Sequence, residues 1–291
     1  MHWLGLPSTI GRALGRARDH TIDVCRFVRG LALRDAPRRH TLFTAPTATR
    51  PMRLMLTRPG HIEDELERSG NWEPHVARAI AFFMRAGGTF VDVGANIGYH
   101  ALWVALSRPD ARVVCFEPNP SVRDELVRNV ALNELATVDV RPYALGDGER
   151  TVALYAHTGR AYNRGSSSMN DVALPGERAE RIEVEMRTLD RALPAELRVD
   201  VVKIDTEGYE AAVLRGAREL IARCRPVIVL ELEARLVADP VATLREIRAL
   251  LPRYQLWKLE RAELVPLDPG EVEGRLFRAD LIALPRDATP S

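Results

Sequence analysis

The run Phe90-Val91-Asp92-Val93-Gly94-Ala95-Asn96-Ile97-Gly98-Tyr99 joins an apolar strand to a glycine turn and a helix start. In an open α/β sheet that junction binds nucleotide-like ligands, because glycine admits close backbone approach and the following helix offers unpaired N–H groups. A second strand, Val113-Val114-Cys115-Phe116, ends in Glu117, 23 residues beyond Gly94. A carboxylate there can accept hydrogen bonds from both hydroxyls of a ribose. Two further apolar strands also end in acids: Val201 to Ile204 in Asp205, and Val227 to Leu230 in Glu231. If these strands share one parallel sheet, Asp92, Glu117, Asp205 and Glu231 converge on one edge.

The spacing narrows the ligand. Gly94 and Gly98 form Gly-x-x-x-Gly, with Ala95 and Asn96 where a dinucleotide fingerprint has x and its second glycine. The Gly-x-Gly-x-x-Gly pattern and the Gly-x-x-x-x-Gly-Lys-Ser/Thr loop are both absent, which disfavours a nicotinamide oxidoreductase and a P-loop enzyme. An acidic rim repels a pyrophosphate and suits a ligand with a ribose, an ammonium and a sulfonium but no phosphate. S-adenosylmethionine has that composition. Each piece alone has a plainer reading: a glycine turn is a common strand-to-helix connection, and acids at strand ends are often helix N-caps. Their conjunction at this spacing points to the ligand.

From Gly60 to about Leu284 the chain resembles the FkbM-type methyltransferases, a branch of the S-adenosylmethionine-dependent methyltransferases. The ordered motifs that carry the resemblance are Val91 to Gly98, Phe116-Glu117-Pro118-Asn119-Pro120, Ala144-Leu145-Gly146-Asp147, Gly165-Ser166-Ser167-Ser168, Arg187-Thr188-Leu189-Asp190, and Lys203-Ile204-Asp205-Thr206-Glu207-Gly208-Tyr209-Glu210. The resemblance implies an α/β, Rossmann-like class I methyltransferase fold: a mostly parallel seven-stranded sheet, its last strand antiparallel, with helices on both faces. It implies S-adenosylmethionine as cofactor, with Asp92, Gly94, Asn96 and Gly98 at the methionine side, Glu117 at the ribose, and Leu145 with Asp147 near the adenine. Asp205 would then border the site of methyl transfer.

Methyl transfer to an aliphatic hydroxyl needs alignment of the acceptor oxygen and a group that takes its proton. Asp205 is the first candidate for that base and Glu231 the second; a ligand-positioning or helix-capping role for Asp205 stays equally open. Glu207 and Glu210 read as first-turn acids that complement a helix dipole. His100 reads either as a proton acceptor or, more commonly for its place, as a packing residue. Converging carboxylates could hold Mg²⁺, but spacing does not show their geometry and no metal is assigned. Asp205-Thr206-Glu207-Gly208 replaces the Asn/Asp-Pro-Pro-Tyr/Phe sequence with which other methyltransferases hold a base or amide nitrogen, which favours oxygen as acceptor. The expected acceptor is a small-molecule, glycan or lipid-linked hydroxyl, on a sugar, glycolipid or polyketide-like metabolite.

The 291 residues, 46% hydrophobic and 28% charged, are enough for one α/β domain with additions. A net charge of +1 gives no global case for nucleic-acid binding. Residues 1–50 differ: nine arginines face only Asp19, Asp23 and Asp35. Ile10, Leu14, Ala17, Thr21, Val24, Val28 and Leu31 recur at helical spacing there, so residues 10–31 read as a basic amphipathic helix. It would either pack on the domain or touch a membrane or partner. The latter supports a competing class, a non-catalytic methyltransferase-fold module that docks through this helix. Pro37, Pro46 and Pro51 then mark a linker-like stretch, giving an extension over 1–50 and a methyltransferase domain over 51–291. Cys25, Cys115 and Cys224 show no paired spacing, no long apolar run spans a membrane, and no signal-peptide core is evident. A cytoplasmic protein is expected, with membrane contact at the inner face as an open addition.

Helices are expected from Pro74, from Asn119-Pro120, over 208–223 and from Asp239-Pro240, with strands at Val138 to Val140, Thr151 to Tyr155 and Ile182 to Met186. A final antiparallel pair is expected at Tyr254 to Leu259 and Leu281 to Leu284. The polar segment from His157 to Gly176 reads as an insertion over the strand ends, either a lid or a plain surface loop.

Overall fold

A computed structural model describes residues 32–34, 39–45, 50–58, 61–157, 167–169, 179–260, 263–267 and 278–286. The helix expected over 10–31, and most of the 157–176 insertion, lie outside the described residues. The chain begins with strands β1 (Ala32–Arg34), β2 (Arg39–Ala45) and β3 (Met52–Arg58), helices α1 (His61–Ser69) and α2 (Pro74–Phe83), and strand β4 (Thr89–Val93). Helix α3 (Tyr99–Ser107), β5 (Arg112–Phe116), α4 (Pro120–Leu132) and β6 (Val138–Arg141) follow. Then come β7 (Ala144–Leu145), β8 (Arg150–His157), β9 (Ser167–Ser168), β10 (Ala179–Arg187) and α5 (Leu189–Ala192). The last part holds β11 (Val201–Ile204), α6 (Glu210–Arg215), α7 (Arg218–Cys224), β12 (Val227–Glu233), α8 (Pro240–Leu250), β13 (Tyr254–Glu260), β14 (Glu263–Pro266) and β15 (Arg278–Pro285).

The central sheet has eight strands in the order β14-β13-β15-β12-β11-β4-β5-β6. The five from β12 to β6 are parallel, while β15 lies antiparallel between β12 and β13. This is the expected seven-stranded arrangement, with β14 added at the edge by a hairpin from β13. Both faces are buried, as a parallel sheet requires. Phe90, Val113 and Cys115 join one apolar core with Leu102 of α3 and Leu126 of α4. Val91, Val93, Val114 and Phe116 join the other with Leu214, Leu220, Leu244 and Ile247. The period-two alternation of each strand splits its residues between the two cores.

The N-terminal caps form where proline and asparagine or aspartate coincide. Asn119 Oδ1 accepts from Ser121 N–H at 3.1 Å, and Asp239 Oδ1 accepts from Ala242 N–H at 2.9 Å. Two expectations change. The helix expected over 208–223 is two helices that break at Gly216-Ala217. A Cβ on Gly216 would lie 1.9 Å from the carbonyl oxygen of Gly146, so close packing of two backbones turns the chain there. The proline-marked stretch read as a linker contains β2, which pairs with β1 on one side and β3 on the other in a three-stranded antiparallel sheet. Phe43, Met52, Leu54 and Leu56 of that sheet are buried in the first core. A third, four-stranded sheet, β7-β10-β8-β9, reaches the carboxyl end of β11 through a hydrogen bond from Ser168 of β9 to the Glu207 carbonyl oxygen.

Candidate functional site

The glycine turn is built from its own backbone. Gly94 N–H and Ala95 N–H both donate to Phe116 carbonyl oxygen, at 3.0 and 3.1 Å, which ties the turn to β5. Gly94, Asn96 and Gly98 take φ of +78°, +52° and +91°. Side chains are excluded there by protein rather than by ligand alone. A Cβ on Gly94 would sit 1.9 Å from the Asp205 carbonyl oxygen, and one on Gly98 would sit 2.3 Å from Leu126 Cδ1. Asparagine is the residue besides glycine that best tolerates this conformation, and Asn96 Oδ1 accepts from Ile97 N–H at 2.8 Å.

Glu117 locks onto the same turn. Its Oε2 accepts from Asn96 N–H at 3.0 Å and its Oε1 from Asn119 N–H at 2.9 Å. Burial pushes its carboxyl up to about 7, against the opposing pull of these two backbone bonds and Arg123. Glu117 opens on a cleft of about 580 Å³ whose walls include Gly94, Asn96, Tyr143, Leu145, Asp205 and Glu207. Ser167 and Met169 from the insertion close it from above. Asn119 Nδ2 donates to Ser167 Oγ at 2.9 Å and Ser168 Oγ donates to Glu207 carbonyl oxygen at 3.0 Å, so this part of the insertion does lie over the strand ends.

A second cleft, of about 630 Å³, adjoins the first, with Gly94, Asn96, Asp205 and Glu207 common to both. Trp72, Tyr99 and Ile62 form its less polar side, and Glu73, His100, Glu231 and Arg278 its polar side. The charges are paired among themselves. Lys203 Nζ donates to Asp205 Oδ2 at 2.8 Å, Glu231 is paired with Arg278, and His100 Nε2 lies 3.1 Å from Glu73 Oε2. Burial alone would push Lys203 down, but the carboxylates of Asp205, Asp92 and Glu73 outweigh it and hold the ammonium charged. Burial, then the neighbouring Asp205, push Glu231 well up, while Arg278 opposes them. Glu73 has φ of +42°, a left-handed conformation rare for its type. Burial would raise its carboxyl, but the His100 bond and the nearby cations hold it down at about 2. Glu73, Glu231 and Asp280 bring carboxylate oxygens within 4.8 Å of one another. Each already has a protein partner: Arg278 for Glu231, Arg278 and His100 for Glu73, and His75 at 2.8 Å for Asp280.

The sequence-derived residues therefore divide. Gly94, Asn96, Glu117, Leu145 and Asp205 line the first cleft, and Glu231 lines the second. Asp92, Gly98 and Asp147 line neither. Asp92 alternates onto the helix-covered face of β4 and is 1% exposed, beside the charges of Lys203 and His100; burial raises its carboxyl. Gly98 serves the contact with Leu126. Asp147 pairs with Arg150 at 2.9 Å and Arg215 at 3.3 Å, outside the cleft that its neighbour Leu145 lines. Glu210 is a loop latch: its Oε1 accepts from Thr206 N–H, Thr206 Oγ1 and Gly208 N–H at 3.0 to 3.1 Å, fixing the loop that carries Asp205 and Glu207. Sequence reasoning missed Glu73 and Lys203. Lys203 stands two residues before Asp205 on a buried strand, and a lone lysine in such a strand is itself a signal of a buried partner.

The doubly wound sheet thus carries an acid-rimmed crevice at its carboxyl edge, where open α/β sheets bind their ligands. The profile of the Methyltransferase FkbM domain matches residues 92–256, more than half of the chain, and the protein belongs to that family. Among curated relatives, Methyltransferase 1 of Beauveria bassiana is 27% identical over 43% of this chain and 57% of its own length. Methyltransferase sdnD of Sordaria araneosa is 29% identical over 44% of this chain and 60% of its own. The chain thus spans less than two thirds of these two relatives. The 2-O-methyltransferase NoeI of Sinorhizobium fredii is 28% identical over 67% of this chain and 80% of its own. A solved FkbM methyltransferase from Methylobacillus flagellatus is 19% identical, covering 67% of this chain and 43% of that one, with a TM-score of 0.44. Among the described residues no helix is long and apolar enough to cross a membrane.

Proposed function

We propose that this methyltransferase uses S-adenosylmethionine to methylate a hydroxyl of a sugar, glycolipid or polyketide-like acceptor. The observation that carries the reading is the meeting of two clefts at Gly94, Asn96, Asp205 and Glu207. The first cleft fits the cofactor by its chemistry. Among the described residues no lysine or arginine lines it, so nothing there neutralises a phosphate, while Glu117, Asp205 and Glu207 favour a cationic ligand with a ribose. Glu117 would hold the ribose hydroxyls, Tyr143 and Leu145 the adenine side, and the Gly94 to Asn96 turn with Asp205 the methionine side.

When bound, the cofactor supplies an electrophilic methyl group on a sulfonium. The protein's own part is to align the acceptor and manage its proton. The second cleft would bring the acceptor hydroxyl to the junction, where Asp205, fixed through Oδ2 by Lys203, presents Oδ1 to take the hydroxyl proton. Glu231 is less suited to that role, because Arg278 occupies its carboxylate. The similarity to the 2-O-methyltransferase NoeI supports oxygen as acceptor.

Calorimetry with S-adenosylmethionine tests the cofactor assignment, and an absence of binding would overturn it. Transfer of labelled methyl groups to a panel of glycans, lipids and small metabolites tests the acceptor. Asp205→Asn should lower transfer at saturating cofactor roughly 10²- to 10⁴-fold, the range for a lost general base. Full activity in that variant would remove Asp205 from proton transfer.

A further inference from the structure

Asn129 sits in α4 with no exposed surface and touches two separate parts of the chain. Its Oδ1 accepts from Met55 N–H of β3 at 2.7 Å, and its Nδ2 donates to the carbonyl oxygen of Ile97, inside the glycine turn, at 3.0 Å. The orientation of the amide is forced, since a backbone N–H can only donate and a carbonyl only accept. Asparagine provides the two functions on two separate atoms, whereas a threonine hydroxyl would have to supply both from one.

One turn further on, Asn133 makes a pair of hydrogen bonds to β3, and its Nδ2 also donates to the Asn129 carbonyl oxygen at 2.8 Å. Its Oδ1 accepts from Arg53 N–H at 2.8 Å and its Nδ2 donates to Arg53 carbonyl oxygen at 2.6 Å. The match is geometric. Helix residues four apart are separated by about 6 Å, and strand residues two apart by about 6.6 Å. Asn129 and Asn133 therefore meet Met55 and Arg53 in register along the edge of β3 that β2 leaves uncovered. Leu126, three residues before Asn129 on the same helix face, is the side chain against which Gly98 packs. The glycine turn and the N-terminal sheet thus rest on one stripe of α4.

We propose that Asn129 is a positioning residue that couples docking of the β1–β3 sheet to the conformation of the glycine turn, and thereby to affinity for the cofactor. The affinity part rests on the cofactor reading given above. With β3 in place, the Met55 N–H holds the amide so that Nδ2 faces Ile97, and the carbonyl of Ile97 is fixed at the end of the turn. When β3 undocks, Oδ1 loses its buried donor and the amide loses its orientation. By reciprocity, a ligand that fixes the turn tightens the docking of β3.

The test compares Asn129→Asp, Asn129→Ser and Asn133→Ala in the full chain. Asn129→Asp keeps an acceptor for Met55 but opposes a carboxylate oxygen to the Ile97 carbonyl; Asn129→Ser removes the reach to both with less perturbing charge. Asn133→Ala removes the bonds to Arg53 and to the Asn129 carbonyl but leaves the Asn129 side-chain bonds to Met55 and Ile97 in place. Hydrogen exchange on the ligand-free protein should show faster exchange at residues 96–98 in both Asn129 variants, and in Asn133→Ala faster exchange at β3 with a smaller rise at 96–98. Calorimetry with S-adenosylhomocysteine should show about tenfold weaker binding in the Asn129 variants and less than threefold in Asn133→Ala. In the wild type, S-adenosylhomocysteine should slow exchange at the Met55 amide. Unchanged exchange at 96–98 in both Asn129 variants, or equal effects of the Asn129 and Asn133 variants, would overturn the coupling. A wild type that does not bind S-adenosylhomocysteine would instead overturn the cofactor reading, with the exchange arm still deciding the coupling.

Discussion

Lys203 Nζ donates to Asp205 Oδ2 at 2.8 Å from within the sheet, where Lys203 is 5% exposed and its β4 neighbour in register is Asp92. One buried cation thus serves two acids with different fates: Asp92 sealed under α3, and Asp205 open to both clefts. The lysine sets where the Asp205 carboxylate points and offsets the burial of Asp92.

Lys203→Met should therefore destabilise the fold by about 3–5 kcal/mol at neutral pH, the range for removing one partner of a buried ion pair. The loss should shrink as pH falls. Without the lysine, nothing offsets the burial that already raises the Asp92 carboxyl, and its protonation then relieves the uncompensated charge. Urea unfolding at pH 7.5 and pH 5 measures this; an equal loss at both would show that packing, not charge, is what the lysine supplies.

Gly94→Ala should cost about 2–4 kcal/mol, combining a left-handed φ with a steric overlap. The contact is with the backbone of Asp205, which cannot rotate aside. Since Asp205 lies at the junction of the clefts, this substitution should also lower methyl transfer. Thermal unfolding and a labelled-methyl assay on the same sample check both effects; a variant that unfolds and turns over as the wild type does would contradict the overlap.

The fold was readable because each element carried a local signal: apolar strands with acid ends, proline after a capping residue, and glycines at the turn. The parallel core from β12 to β6 and the antiparallel β15 follow that reading. The N-terminal sheet was not readable, because Pro37, Pro46 and Pro51 suggest a linker while the partners on the open edge of β3 are two asparagines 74 and 80 residues away. At the site, Glu117 and Asp205 stood out by position, whereas Glu73 did not. Its role depends on a left-handed backbone beside Pro74 and on His100, 27 residues on, neither of which leaves a spacing pattern.

Glu73→Gln should lower stability by about 2–3 kcal/mol at pH 6 and by much less at pH 2.5. The sign follows from the carboxyl being held down at about 2 against an ordinary 4.5. Its contribution is complete above the unfolded value and is lost as pH falls toward the folded one. Urea unfolding of both proteins between those limits gives the difference curve. A flat curve would show that the His100 and Arg278 contacts do not act through the charge of Glu73.

Glu117 should behave in the opposite sense, because burial raises its carboxyl from 4.5 to about 7. The folded protein holds this proton where the unfolded chain has released it, so stability falls as pH rises from about 4.5 to 7, by about 3 kcal/mol. Glu117→Gln, which cannot ionise, should remove that slope. Ribose hydroxyls donating to Glu117 would favour the ionised form, so cofactor binding and proton release are linked. Affinity for S-adenosylhomocysteine should then rise about tenfold between pH 5.5 and 7.5, and calorimetry in buffers of different ionisation enthalpy should register a proton released near pH 6. If affinity in the wild type were independent of pH, or matched in Glu117→Gln, the hydroxyls would have to be held elsewhere. The two backbone N–H groups of Asn96 and Asn119 would then be the sole reason for a carboxylate at the end of β5.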